Sequence, residues 1–165
     1  MKIRFRRLLP LGLLLLYFPT GAAAAAPLAV GDAVPVIIAS DQHGEAFQFT
    51  NGIRFLLVVT EMTPAKLANR RLTTAGAGFL EQHNAAYLMD IHTMPAIARF
   101  FALPKLRKYP HRIVLVQTAD ALPAFPVQPG CVTVLRLTSA AHVEKISFWN
   151  PASEPVDGFL KQDVP

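Results

Sequence analysis

Five consecutive apolar residues, Phe55-Leu56-Leu57-Val58-Val59, stand between Arg54 and Thr60. A run with no polar alternation fits a strand covered on both faces, which requires layers on either side of a parallel or mixed sheet. It is expected to be the central strand. Ala86 to Ile91, Ile113 to Val116, Val132 to Leu137 and Val143 to Trp149 read as further strands, the last two close enough to pair through Ser139-Ala140-Ala141. Val34 to Ala39 and Ala46 to Phe49 flank Asp41-Gln42-His43-Gly44, whose Asp and Gly favour a turn, so an N-terminal β-hairpin is expected.

Helices separate the strands. Thr63-Pro64 offers an N-cap hydroxyl and a proline at the first helical position, and Leu67, Leu72, Phe79 and Leu80 follow at mostly helical spacing through Gln82, with Gly76 and Gly78 weakening the middle. Thr93-Met94-Pro95 opens a second helix with Ile97, Phe100 and Phe101 on one face, and Pro104 is expected to end it. Pro155 to Lys161 reads as a short closing helix. This order predicts an α/β fold, a three-layer sandwich with a mixed central sheet. A 52% hydrophobic and 16% charged composition supplies a core and is the opposite of a disordered chain. With no linker or repeat in view, residues 27–165 are expected to form one domain.

The net charge of +5 suggests an anionic partner until it is located along the chain. Lys2, Arg4, Arg6 and Arg7 precede an apolar run from Leu8 to Phe18, then Pro19-Thr20-Gly21 and the alanines 22–26, the layout of a cleaved secretory signal over residues 1–26. The run is shorter than the roughly 20 residues that span a bilayer, and no cysteine follows it for acylation. Removing these four of the 16 Lys and Arg, and no acid, leaves 12 against 11 Asp and Glu. The expected product is periplasmic or secreted, without a stable membrane anchor and without the charge for nucleic acid.

Gly31-Asp32-Ala33-Val34-Pro35 and Asp41-Gln42-His43-Gly44-Glu45 resemble the opening segment of AhpC/TSA and TlpA-type thioredoxin-like proteins, and the order of the later elements agrees. The resemblance spans most of residues 31–160. It implies a thioredoxin-like fold in which Phe55 to Thr60 leads into the active-site loop, Pro129 precedes the hairpin and Val132 to Trp149 forms it. It also implies a reactive cysteine at a helix N-terminus, within Thr60-Glu61-Met62-Thr63-Pro64-Ala65-Lys66. There is none. Helix-terminal N–H groups stabilise a thiolate, whereas Thr63, in the cysteine's place of a Thr-x-x-Cys pattern, cannot pass through sulfenic acid or disulfide.

Cys131 is the one cysteine of the chain, which excludes an intramolecular disulfide or a multi-cysteine metal site. Between Gly130 and Val132, with no adjacent Lys, Arg or His, it reads as a small buried hydrophobe; a thiol-dependent oxidoreductase or peroxidase using Cys131 is the alternative. Met89, His92 and Met94 offer thioether and imidazole ligands suited to copper, although their strand and helix-start positions also suit packing, so no metal is expected. Ala65-Lys66-Leu67, Met94-Pro95-Ala96 and Phe101-Ala102-Leu103-Pro104 are similar to chains described as FAD/FMN-containing dehydrogenases. No glycine loop for a phosphate accompanies them, so no cofactor is expected.

From Ile91 to Ala119 the chain has no acid, while Arg99, Lys105, Arg107, Lys108 and Arg112 are basic. This segment is either a solvated helix end or a docking surface for an unknown protein or anionic ligand. The function that follows is an exported, redox-inactive binding or scaffolding module of thioredoxin-like fold, with Thr60, Glu61, Thr63 and Lys66 and the five basic residues as its surface.

Overall fold

The computed structural model describes residues 26–49, 52–118 and 125–161. In chain order the elements are β1 (Ile38–Asp41), β2 (Ala46–Gln48), β3 (Phe55–Val59), α1 (Met62–Ala75), α2 (Phe79–Gln82), β4 (Ala85–Asp90), α3 (Ala96–Leu106), β5 (Val114–Val116), β6 (Val132–Leu137), β7 (Val143–Trp149) and α4 (Gly158–Lys161). The expected signal segment lies, but for Ala26, outside the described residues. Among the described residues no helix is long and apolar enough to cross a membrane.

The strands form one mixed sheet of seven in the order β2-β1-β5-β4-β3-β6-β7. β3, β4 and β5 run parallel, which the intervening helices α1 and α3 make possible. β6 and β7 extend the sheet antiparallel beyond β3, and the β1–β2 hairpin adds antiparallel to β5. All five residues of β3 are buried, as the unbroken apolar run requires. The middle place nevertheless belongs to β4, because the N-terminal hairpin joins the far side of β5.

Alternate residues of each strand feed two cores. Leu57, Val59, Tyr87, Met89 and Trp149 meet the buried residues of α1, α2, α3 and α4 on one face. Leu56, Val58, Leu88, Val114 and Leu135 meet Val34, Ile37, Phe47, Phe49 and Phe125 on the other. The layers are thus helices, sheet and a shell of non-helical chain. Part of that shell is the segment before β1, which the sequence suggested as strand from Val34. It is instead pinned to the β6–β7 turn, with Gly31 N–H donating to the Val143 carbonyl at 2.8 Å and Val34 N–H to the Ala141 carbonyl at 2.9 Å. The β1 ladder starts only at Ile38.

α4 begins at Gly158 rather than Pro155, and three boundaries of α1 and α3 differ from expectation, each for a local reason. Glu61, not Thr63, is the N-cap of α1, with extended backbone at φ −112° and ψ 144°. Pro64 then falls at the third helical position, where its missing N–H is still one that no intrahelical acceptor needs. The first such bond is Ala65 N–H to the Glu61 carbonyl, 3.1 Å. The helix expected to run to Gln82 stops at Ala75, because Gly76 takes φ 106° and turns the chain before α2. Pro104 lies inside α3 rather than ending it; it removes one hydrogen bond in the last turn, and Arg107 N–H still reaches the Leu103 carbonyl at 3.0 Å.

Candidate functional site

The carboxyl ends of parallel strands in an open sheet are where ligands and catalytic groups collect. Here β3 ends at Val59, with Thr60 and Glu61 leading into α1, and β4 ends at Asp90. Antiparallel to β3, β6 brings Thr133 opposite Val58, so the Pro129-Gly130-Cys131 turn lies beside the start of α1. A side-chain contact joins the two: Gly130 N–H donates to Glu61 Oε2 at 3.3 Å. The position that caps α1 therefore holds a carboxylate engaged with the turn before β6.

Cys131 is buried, and its N–H closes the turn on the Gln128 carbonyl at 3.1 Å. Gln128 Nε2 donates to its Sγ at 3.5 Å. The sulfur is thus held as an acceptor at the turn before β6, and Cys131 belongs to neither hydrophobic core.

Between α1 and α3 lies a cleft of about 330 Å³ at the ends of β3 and β4, lined by Thr60, Met62, Asp90, Met94, Ala98 and Ala102. A smaller cavity of about 110 Å³ lies deeper, where Met89 and Met94 meet Lys66, Asn69 and Lys105. His92 is not part of either lining. It is exposed, and its Nδ1 lies 2.7 Å from Asp90 Oδ1. The two thioethers share a cavity while the imidazole points elsewhere, and among the described residues no three His, Cys, Asp or Glu side chains group as a metal site.

Behind this cavity is a buried polar pair. His111 Nε2 lies 2.9 Å from Asn69 Oδ1, which can only accept, so Nε2 carries the proton. Burial pushes the imidazole down to about 4, and its unprotonated Nδ1 has no partner among the described residues. Burial also drives the neighbouring Tyr87 phenol far above its ordinary range, with Tyr109 adding to the effect. Both groups stay neutral near pH 7.

The fold as a whole is similar to that of solved structures. The peroxiredoxin-like protein from Aquifex aeolicus aligns with TM-score 0.52 at 10% identity, over 77% of this chain and 80% of that one. The thio-disulfide isomerase from Thermus thermophilus aligns with TM-score 0.51 at 15% identity, over 82% of this chain and 94% of its own. The thioredoxin domain of a thiol-disulfide oxidoreductase from Bacteroides vulgatus gives TM-score 0.50 at 13% identity, over 84% and 99% respectively. The fold is thioredoxin-like. No family model and no curated protein matches the sequence.

Within this thioredoxin-like fold the expected binding residues separate into two sets. Thr60 faces the cleft and Lys66 and Lys105 the deeper cavity, whereas Thr63 is exposed on the first turn of α1. Arg107 and Arg112 turn away and fasten the N-terminal hairpin: Arg107 Nε donates to the Gln42 carbonyl at 3.0 Å and Arg112 Nε to Asp41 Oδ2 at 3.0 Å. Arg112 also donates through Nη2 to the Ala46 carbonyl and lies 5.6 Å over the Phe47 ring. Arg99 is half-buried, and Lys105 and Lys108 are exposed. Sequence reading missed Met62, Ala98 and Ala102 as lining, because each reads as an ordinary helix former. It also missed the outward face of α3, since periodicity reveals a face without saying which way it points.

Proposed function

We propose that this thioredoxin-like chain is a redox-inactive binding module, exported through the cleaved segment 1–26, that engages an anionic or protein partner across α1 and α3. The observation that carries the reading is Glu61 in the cap position of α1. Thiol–disulfide exchange needs an accessible thiolate and a second sulfur; this position supplies a carboxylate already bonded to Gly130, and the chain's one thiol is buried. The basic start, Lys2, Arg4, Arg6 and Arg7, and the apolar run of residues 8–18 support export.

The test is chemical. Native protein recovered after export is titrated with a thiol reagent and assayed for peroxide consumption and disulfide reduction, beside Cys131→Ser. The expected result is no turnover in either chain and reaction of Cys131 only after denaturation. A native thiol that reacts quickly, with turnover lost in Cys131→Ser, would replace this reading with a thiol-dependent oxidoreductase. A yellow purified protein would point instead to a bound flavin. Mass spectrometry of the exported chain checks the cleavage within residues 22–26.

A further inference from the structure

Helix α3 carries two rows of side chains at the same i, i+3, i+4, i+7 spacing. Arg99, Ala102, Leu103 and Leu106 form the inner row, Leu106 buried and the other three half-buried, with Leu103 and Leu106 packed on the core under the sheet. Ile97, Phe100, Phe101 and Pro104 form the opposite row and face water. Ile97 and Phe100 are each 72% exposed and Phe101 is 62% exposed. The two phenyl rings pack edge to face with centroids 5.4 Å apart, so the row is one continuous apolar surface. A grouped apolar surface of this kind on a helix marks a contact.

Charge defines the rest of the surface. Lys105 adjoins the apolar row and Lys108 follows the helix end; both are exposed and in no ion pair among the described residues. No acid occurs in the sequence from Ile91 to Ala119. A second copy seated on this face would bring the same lysines together with no acid from the segment to offset them, which opposes self-association. The row itself contains no hydrogen-bonding side chain to set the register of a protein partner. A lipid surface needs none: it takes apolar side chains into the acyl boundary and lysine ammonium groups at phosphate level.

We infer that the outward face of α3 seats this protein on an anionic bilayer, with Ile97, Phe100 and Phe101 inserted and Lys105 and Lys108 at the headgroups. This names the partner class of the binding reading and rests on that reading for the choice of surface. Redox inactivity is tested separately.

The exported chain is sedimented with vesicles of phosphatidylglycerol and phosphatidylcholine, and with phosphatidylcholine alone, beside Phe100→Ser/Phe101→Ser and Lys105→Glu/Lys108→Glu. Circular dichroism confirms that both variants fold, as expected for exposed positions. The expected result is binding to the anionic vesicles only, weakened by salt, lowered at least tenfold by the Phe changes and at least 25-fold by the Lys changes, roughly fivefold for each lysine attraction lost, with repulsion from the two introduced acids added. Absence of wild-type binding overturns the inference. So does binding that survives both double variants, whether it comes from residues 8–18 or elsewhere, and so does a dimer, seen by analytical ultracentrifugation, that the Phe changes dissolve. Native reactivity of Cys131 in the same samples would overturn the redox-inactive reading and leave the vesicle result standing.

Discussion

Asp41 and Arg112 meet across the β1–β5 seam, with Arg112 Nε donating to Asp41 Oδ2 at 3.0 Å, while Asp41 Oδ1 accepts the N–H groups of His43 and Glu45 at 2.9 and 3.0 Å. One carboxylate therefore closes the β1–β2 turn and fastens the hairpin to the rest of the sheet. Burial alone would raise its pKa, but the two backbone donors and the Arg112 guanidinium together hold it below the usual carboxylate value. Asp41→Ala removes all three acceptor contacts and is expected to cost about 3 kcal/mol. Asp41→Asn keeps an oxygen for the turn and should cost about 1 kcal/mol. Urea denaturation midpoints, at unchanged m-value, measure both.

Acid should weaken the fold through His111. The unfolded imidazole takes up a proton near pH 6.5, whereas the buried one does so only at about 4. Between these values the unfolded chain binds more protons, so stability is full above pH 6.5 and declines as pH falls toward 4, by about 3 kcal/mol in all. Asp41, with its lowered pKa, adds a further loss below the ordinary carboxylate range. Denaturation midpoints measured from pH 8 to pH 4 should fall in the wild type and stay nearly level over that range in His111→Gln. Equal slopes in the two proteins would mean that another group carries the effect.

Gly76 holds φ 106° and ψ 159°, a region closed to side-chain-bearing residues although open space surrounds the site. Gly76→Ala is therefore expected to destabilise through backbone strain alone, by about 2 kcal/mol. Thermal unfolding of Gly76→Ala beside the exposed Ala77→Gly control distinguishes strain from a general effect of the linker.

Glu61→Cys tests whether the fold still supports a reactive thiol. A thiol at the cap of α1 would face the free N–H groups of its first turn, which lower thiol pKa below the usual value of about 8.5. Glu61→Cys/Cys131→Ser is expected to alkylate at pH 7 about tenfold faster than an unperturbed thiol. Reaction at the unperturbed rate would show that this helix terminus does not exert that influence.

What was legible in the sequence follows burial geometry. β3, β6 and β7 were readable because strands covered on one or both faces must be apolar where they are covered, and Phe55–Val59 leaves no alternative period. Helix ends were less readable because Thr63-Pro64 satisfies the chemistry of a start two residues later than the real one, and Pro104 is tolerated in a last turn. The face of α3 was legible only as a pattern. Two rows share one spacing, and the choice between them is made by the sheet that Leu106 reaches, not by the helix. That Thr60 to Lys66 holds no thiol, where the resemblance implies one, was evident from the sequence, but the contact between Glu61 and Gly130 joins residues 69 apart and depends on β6 lying beside β3.

The pairing of β1 with β5 also constrains the order in which this chain can assemble. Ser40 lies beside Leu115 in the finished sheet, although synthesis separates them by β2, β3, β4 and three helices. Closing a loop of that length costs entropy before any contact repays it. Until the first hairpin docks, β5 presents a bare edge. A chain made from its N-terminus must keep that edge from other strands until its own beginning returns to cover it.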